Sequence, residues 1–321
     1  LRRVIKLENY KGLLAGAVKR YFTAPDRAEK KCHFGLDGNR ISADIAQRVE
    51  VLYPGGDSIF SGGLLLAITS EQKAFYDAFG FLVVRQLFSA AEMEELSCTF
   101  DAMLAAERQG APFPGTKRQS LYAIAEKSEL ITGLVEDDRI YKTVEALLGP
   151  GFIWLCSEGN LYVGDTKWHP DGTRLDYTPM KVSLYLDSLT GQSGSLRVVP
   201  GTHQLPFHED MKEVADAISG PDMPAYCIES EPGDVCFNNM NTWHAAFGGA
   251  VGRRHLALNF IPAPTEAAHI ECMKENYRGL FVHQANHQYS QPDRNFTDAF
   301  LYSERPRIRK LAAKWVELDL K

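Results

Sequence analysis

Over residues 152–262 the chain carries strand and turn signals almost without interruption, and few folds accommodate so long a run of short strands. Met180, Val182, Leu184 and Leu186 alternate with Lys181, Ser183, Tyr185 and Asp187, the period of two that gives a strand distinct faces. Pro200-Gly201 and Pro232-Gly233 mark reversals. Helical patterns stand on either side. Thr69-Ser70-Glu71-Gln72 and Ser89-Ala90-Ala91-Glu92 read as capping boxes. The first opens a helix expected to stop at Gly80, ahead of a short buried strand, Phe81 to Val84. The second precedes Met93, Leu96, Phe100, Met103 and Leu104 at helical spacing, a core stripe. A third helix is expected between Asp137-Asp138 and Gly149-Pro150. A fourth follows Pro306, with Ile308, Leu311, Ala312, Trp315 and Leu318 on one face. The pattern predicts a mainly β domain with flanking helices, of the jelly-roll kind.

Within that run lie Trp168-His169-Pro170-Asp171-Gly172 and Asn241-Thr242-Trp243-His244, with Arg253 just beyond. In an extended strand, residues two apart project the same way, so His169 and Asp171 can meet one ion and a distant His244 can complete a face. Two imidazoles and one carboxylate with open positions suit a non-haem Fe(II) site. Zinc is more often closed by four ligands. Trp168 and Trp243 precede the two histidines and are expected to point to the opposite, packed side.

Further motifs surround these. Gly194-Ser195-Leu196-Arg197-Val198-Val199-Pro200-Gly201-Thr202-His203 follows the first, Glu231-Pro232-Gly233-Asp234-Val235-Cys236-Phe237 leads into the second, and Phe75 to Val84 stands upstream of both. Over roughly residues 70 to 262 the chain resembles the phytanoyl-CoA dioxygenase family of Fe(II)/2-oxoglutarate oxygenases, whose motifs WHxDG, GxLxVxPGTH and PGDVxF and whose second His followed by Arg it carries in order. The resemblance implies a cupin-like double-stranded β-helix. It also implies Fe(II) held by His169, Asp171 and His244, with 2-oxoglutarate as co-substrate and O2 as oxidant. The co-substrate's far carboxylate then needs a guanidinium. From 253 onward one face carries Arg253, His255, Ala257 and Asn259, and the other Arg254, Leu256, Leu258 and Phe260. The second set suits packing on helices, so Arg253 is the choice over Arg254. Many family members have a small polar residue two beyond the second His, where this chain has Ala246. Asn160 is the candidate to supply the missing cofactor contact. His203 is read as ordering its turn, and Lys181 and Tyr185 as candidate pocket residues if their strand face is the interior.

Residues 1–68 form an extension that the resemblance does not explain, expected to be mostly helical. Residues 69–321 are expected to form the oxygenase domain, with the jelly-roll core at about 152–262 and a C-terminal helical tail. Residues 1 to 40 hold ten Lys or Arg against four Asp or Glu, read as a basic helical face packed on an acidic domain, with an organelle-targeting segment upstream of Leu1 left open. A net charge of −6 gives no footprint for nucleic acid. No run of eighteen apolar residues predicts a membrane span. Six scattered cysteines without a CxxC pair argue against a zinc ribbon or a disulfide framework, which points to reduced thiols in an intracellular, cytoplasmic setting. Residues 104–122, 203–226 and 266–302 are long enough to serve as lids.

The expected function is a 2-oxoglutarate-dependent dioxygenase that hydroxylates or otherwise oxidises an unactivated C–H bond of a small organic metabolite, with release of succinate and CO2. A non-catalytic cupin-like binding protein and another metal-dependent enzyme on the same fold are the alternatives. Asp171 argues against halogenation, which in this fold needs the carboxylate ligand replaced by Gly or Ala. The substrate and the oligomeric state stay open.

Overall fold

The computed structural model describes residues 68–172, 174–287 and 294–320; the expected helical extension falls on 1–67, outside the described residues. Helix α1 (Ser70–Phe79) starts at the Thr69 capping box and stops at Gly80, whose φ of 82° lies in the left-handed region. Its glycine is also required for space, because a Cβ there would sit 2.6 Å from Nδ1 of His203. Strand β1 (Phe81–Val84) follows, then α2 (Ala90–Glu107) from the Ser89 capping box. After β2 (Gln119–Tyr122) come α3 (Glu129–Glu136) and α4 (Asp138–Leu148), the latter capped by Asp137. The strands β3 (Ile153–Tyr162), β4 (Thr166–His169), β5 (Met180–Tyr185) and β6 (Leu196–Val198) precede helix α5 (Phe207–Ala217). Then come β7 (Tyr226–Ile228), β8 (Val235–Asn239), β9 (His244–Ala246) and β10 (Arg253–Ile261). The chain closes with α6 (Ala267–His287), α7 (Asp298–Leu301) and α8 (Pro306–Glu317).

Two antiparallel sheets form the jelly roll. One runs β1-β8-β5-β10-β3-β2 and the other β4-β9-β6-β7. In the larger sheet Leu256 and Leu258 of β10 pair with Leu184 and Val182 of β5. That outward face, fully buried, joins the main core with residues of α2, α3, α4 and α8. Ile308, Leu311, Ala312 and Trp315 of α8 are all buried, and Trp315 Nε1 donates to the Trp154 carbonyl oxygen at 2.5 Å. The smaller sheet is covered by α5, with Trp168 and Trp243 packed beside Met211, Met223 and Phe247.

Two expectations need correction. Residues 152–262 are not strand and turn almost throughout, since α5 interrupts them where a lid loop was expected. Asp187 does not share the inward face of Lys181, because β5 ends at Tyr185 and the Asp187 carboxylate turns to accept hydrogen bonds from Arg254. Among the described residues, Cys98, Cys156, Cys227, Cys236 and Cys272 are free thiols.

Candidate functional site

Neighbouring strands of the small sheet place the two histidines. His169 ends β4 and His244 begins β9, and the two are direct cross-strand partners with ring centroids 4.4 Å apart. Asp171 lies beyond the end of β4, so simple strand alternation does not deliver it. A turn does: the N–H groups of Asp171 and Gly172 both donate to the Met240 carbonyl oxygen at 2.8 Å. The turn packs so closely that a Cβ on Gly172 would lie 2.3 Å from Oδ1 of Asn241.

The donor atoms of His169, Asp171 and His244 all lie within 4.8 Å of one another. Nε2 of His169 is 3.5 Å from Asp171 Oδ1, and Nε2 of His244 is 3.5 Å from Asp171 Oδ2. Each Nδ1 faces a backbone carbonyl, Lys167 O at 2.7 Å for His169 and Thr242 O at 2.9 Å for His244. A carbonyl accepts only, so Nδ1 carries the proton and the Nε2 lone pair points to the shared point, the arrangement that orients a metal-binding imidazole. Burial lowers the His244 pKa to about 4, so its ring is neutral and available at neutral pH. Burial opposes a proton on His169 as well, but the adjacent Asp171 more than offsets this and raises its pKa. Burial also opposes charge on Asp171, yet Lys181 and the two histidines hold it well below the usual carboxylate range. An ionised oxygen donor with two imidazole nitrogens fits a divalent metal that keeps open positions.

The trio opens on a cavity of about 480 Å³ between the sheets. Arg253 lies in its wall, buried, with no hydrogen-bond partner for Nε or Nη1 among the described residues. Its Nη2 reaches Gly164 O at 3.4 Å and its guanidinium stands 5.4 Å from the Tyr162 ring centroid. Glycine makes room for it: a Cβ on Gly249 would fall 1.4 Å from Nη1. Arg254 is on the other face and is occupied, donating to Asp187, to the Leu186 carbonyl and to Asp101. A buried guanidinium with unmatched donors is a place for an anion, whereas one ringed by carboxylates is structural.

A family model described as phytanoyl-CoA dioxygenase matches residues 76–254, more than half of the chain. The protein belongs to the phytanoyl-CoA dioxygenase family. Ectoine dioxygenases of Bordetella parapertussis (strain 12822) and Bordetella bronchiseptica (strain RB50) are each 25% identical over 183 residues, 52% of this chain and 58% of theirs. The chain thus spans less than two thirds of these curated relatives. The fold matches the iron-bound crystal structure of EctD from S. alaskensis with a TM-score of 0.50 at 22% identity, covering 65% of this chain and 82% of that one. AviO1 from Streptomyces viridochromogenes Tue57 matches with a TM-score of 0.51 at 16% identity, covering 63% and 98%.

Within this phytanoyl-CoA dioxygenase fold, Ala246 lines the cavity opposite Thr166 of β4, so the neighbouring strand offers a hydroxyl-bearing side chain there. Asn160 is not among the cavity-lining residues. Its carbonyl oxygen accepts from Arg118 at 2.7 and 3.0 Å and from Ser120 at 2.6 Å, and its amide nitrogen is 3.4 Å from His255 Nδ1. It therefore braces the wall through Arg118, Ser120 and His255. Lys181 and Tyr185 do line the cavity. His203 Nε2 sits 3.2 Å from the Asp77 carbonyl oxygen, tying its turn to α1.

Two charged wall residues were not singled out from the sequence. Arg118 donates to Glu158 at 2.8 Å, and Lys181 lies 3.7 Å from Glu158 and 2.6 Å from Asp171. Burial opposes charge on Glu158, but Lys181 and Arg118 hold its pKa below the usual range. The pairing of β2 with β3, which sets Tyr122 opposite Glu158, brings this segment alongside. No local pattern announces a contact spanning forty residues. The only signal was the inward period of Glu158, Asn160 and Tyr162.

Proposed function

We propose that the protein is an Fe(II)/2-oxoglutarate-dependent dioxygenase that oxidises a C–H bond of a small organic metabolite. One observation carries this reading: two Nε2 lone pairs and an ionised carboxylate converge at the mouth of a cavity whose wall holds a buried, unmatched guanidinium. His169, Asp171 and His244 would hold the iron, which when bound supplies the activation of O2, with 2-oxoglutarate converted to succinate and CO2. Arg253 pairs with the far carboxylate of the co-substrate, and Tyr162 shields that pair from water. Thr166 lends a hydroxyl on the strand opposite Ala246. The reading takes residues 69–321 as one catalytic domain and its free cysteines as suited to an intracellular setting.

The size of the cavity, about 480 Å³, suits a small ligand. The relatives named for ectoine point the same way. No helix among the described residues is long and apolar enough to cross a membrane. The test is O2-dependent succinate formation from 2-oxoglutarate with added Fe(II), in the presence of a panel of small metabolites. The expected outcome is turnover in the wild type that is lost in His169→Ala; full turnover in that variant would sink the reading.

A further inference from the structure

We propose that Lys181 caps one oxygen of Asp171, so that the carboxylate ligates the metal through its other oxygen alone and leaves the remaining positions free for the co-substrate and O2. This rests on the reading of His169, Asp171 and His244 as metal ligands. Each Asp171 oxygen has one histidine Nε2 at 3.5 Å, Oδ1 that of His169 and Oδ2 that of His244, but only Oδ2 also has the Lys181 ammonium, at 2.6 Å. The ammonium is what makes the two oxygens unequal before any metal arrives.

The ammonium is itself held in place. Lys181 projects inward from the middle of the larger sheet, flanked across the strands by Asn238 of β8 and Asn259 of β10. Behind it Glu158 lies 3.7 Å away, and Glu158 accepts from Arg118 at 2.8 Å. Arg118 is fixed in turn by Ser120 and Asn160, and its guanidinium lies 4.6 Å from the Tyr162 ring centroid. The result is a chain of alternating charge, Arg118, Glu158, Lys181, Asp171, anchored just before β2 and in β3 and β5 and ending on the candidate ligand.

The consequence follows from counting positions. Three protein ligands leave an octahedral ion three sites, two for a chelating 2-oxo acid and one for O2. A carboxylate that bound through both oxygens would take one of them. With Oδ2 in a charge-assisted hydrogen bond, that second bond costs the loss of the ammonium contact. An ammonium beside a dication also weakens metal binding by repulsion. Lys181 thus gives up some metal affinity to keep the co-substrate sites open, a signature that a merely supporting lysine does not have.

The experiment compares the wild type with K181M and K181Q, with Co(II) and 2-oxoglutarate titrated anaerobically by calorimetry and the Co(II) absorption bands recorded for coordination number. In K181M the proposal expects Co(II) affinity equal to or tighter than wild type. On that metal-loaded protein, 2-oxoglutarate affinity falls by about tenfold, the scale of effect of groups that contact metal ligands. K181Q keeps a donor without the charge and is expected to hold 2-oxoglutarate more tightly than K181M does. Parallel loss of metal and co-substrate affinity in K181M would overturn the proposal, because Lys181 would then only hold Asp171 in place. Unchanged 2-oxoglutarate affinity would overturn it too. A wild type that binds no Co(II) removes the underlying metal reading and this proposal with it.

Discussion

The larger sheet buries an apolar outer face under helices and turns charged and aromatic side chains to the cavity, whereas the smaller sheet, with strands of three or four residues, carries the two histidines and rests on α5. The candidate metal donors and the proposed anion-binding group thus come from different walls. The long strands of the larger sheet can hold a buried guanidinium or ammonium because their outer faces are anchored in the main core. The short strands of the smaller one hold the two imidazoles, of which the buried His244 ring is neutral and tolerates burial at little electrostatic cost. The cavity lies where the two meet.

The contrast breaks most sharply at Arg253. Arg253→Ala removes a buried cation proposed to face the co-substrate, and 2-oxoglutarate affinity is expected to fall by the roughly 2–5 kcal/mol typical of a truncated buried charge pair. Arg254→Ala, one residue along on the opposite face, is expected to lower stability by about 1–3 kcal/mol and leave that affinity unchanged. Calorimetry and thermal melts on the two variants check both halves; equal effects on 2-oxoglutarate binding would erase the distinction between the faces.

A second comparison sets one core against the other. Met211→Ala beneath the smaller sheet and Leu258→Ala beneath the larger one each remove a fully buried side chain, at about 2–5 kcal/mol of stability. The Met211 variant is expected to lose metal affinity as well, by about tenfold, since Met211 and Trp243 share the cluster that carries β9. The Leu258 variant is expected to melt earlier but bind metal normally. Metal titration below both melting temperatures tells them apart.

The smallest effect lies outside the cavity lining, where Glu126 accepts from Thr297 N at 2.8 Å and from Trp154 Nε1 at 3.2 Å and so ties the C-terminal segment to β3. Burial pushes its pKa from 4.5 up to about 7. The folded value lies above the unfolded one, so the stability from its neutral form is full below pH 4.5 and is lost as pH rises through about 7. Glu126→Gln stays neutral throughout, and its melting temperature is expected to match wild type at pH 5 and to exceed it by a few degrees at pH 8, measured by calorimetric scans.

Much of this was legible because its signals are local. Thr69 and Ser89 announce their helices through side chains three residues from their partners, and alternation along β10 separates Arg253 from Arg254. Alternation failed at Asp187 and Asp171, because both lie past the ends of their strands, where backbone turns decide direction. Helix α5 went unseen between strands because Pro206 at its start offers no side-chain cap. Arg118 and Glu158 were missed because their contact is made by sheet pairing, which a single sequence does not display.

The central claim is that His169, Asp171 and His244 hold a metal onto which 2-oxoglutarate then binds. Anaerobic calorimetry of the wild type and His244→Ala with Fe(II), and with 2-oxoglutarate before and after metal, tests it directly. The account predicts one Fe(II) per wild-type chain, 2-oxoglutarate binding that appears only with the metal, and loss of both in His244→Ala. Binding of 2-oxoglutarate with equal affinity in the absence of metal, or unchanged Fe(II) binding in the variant, would contradict it.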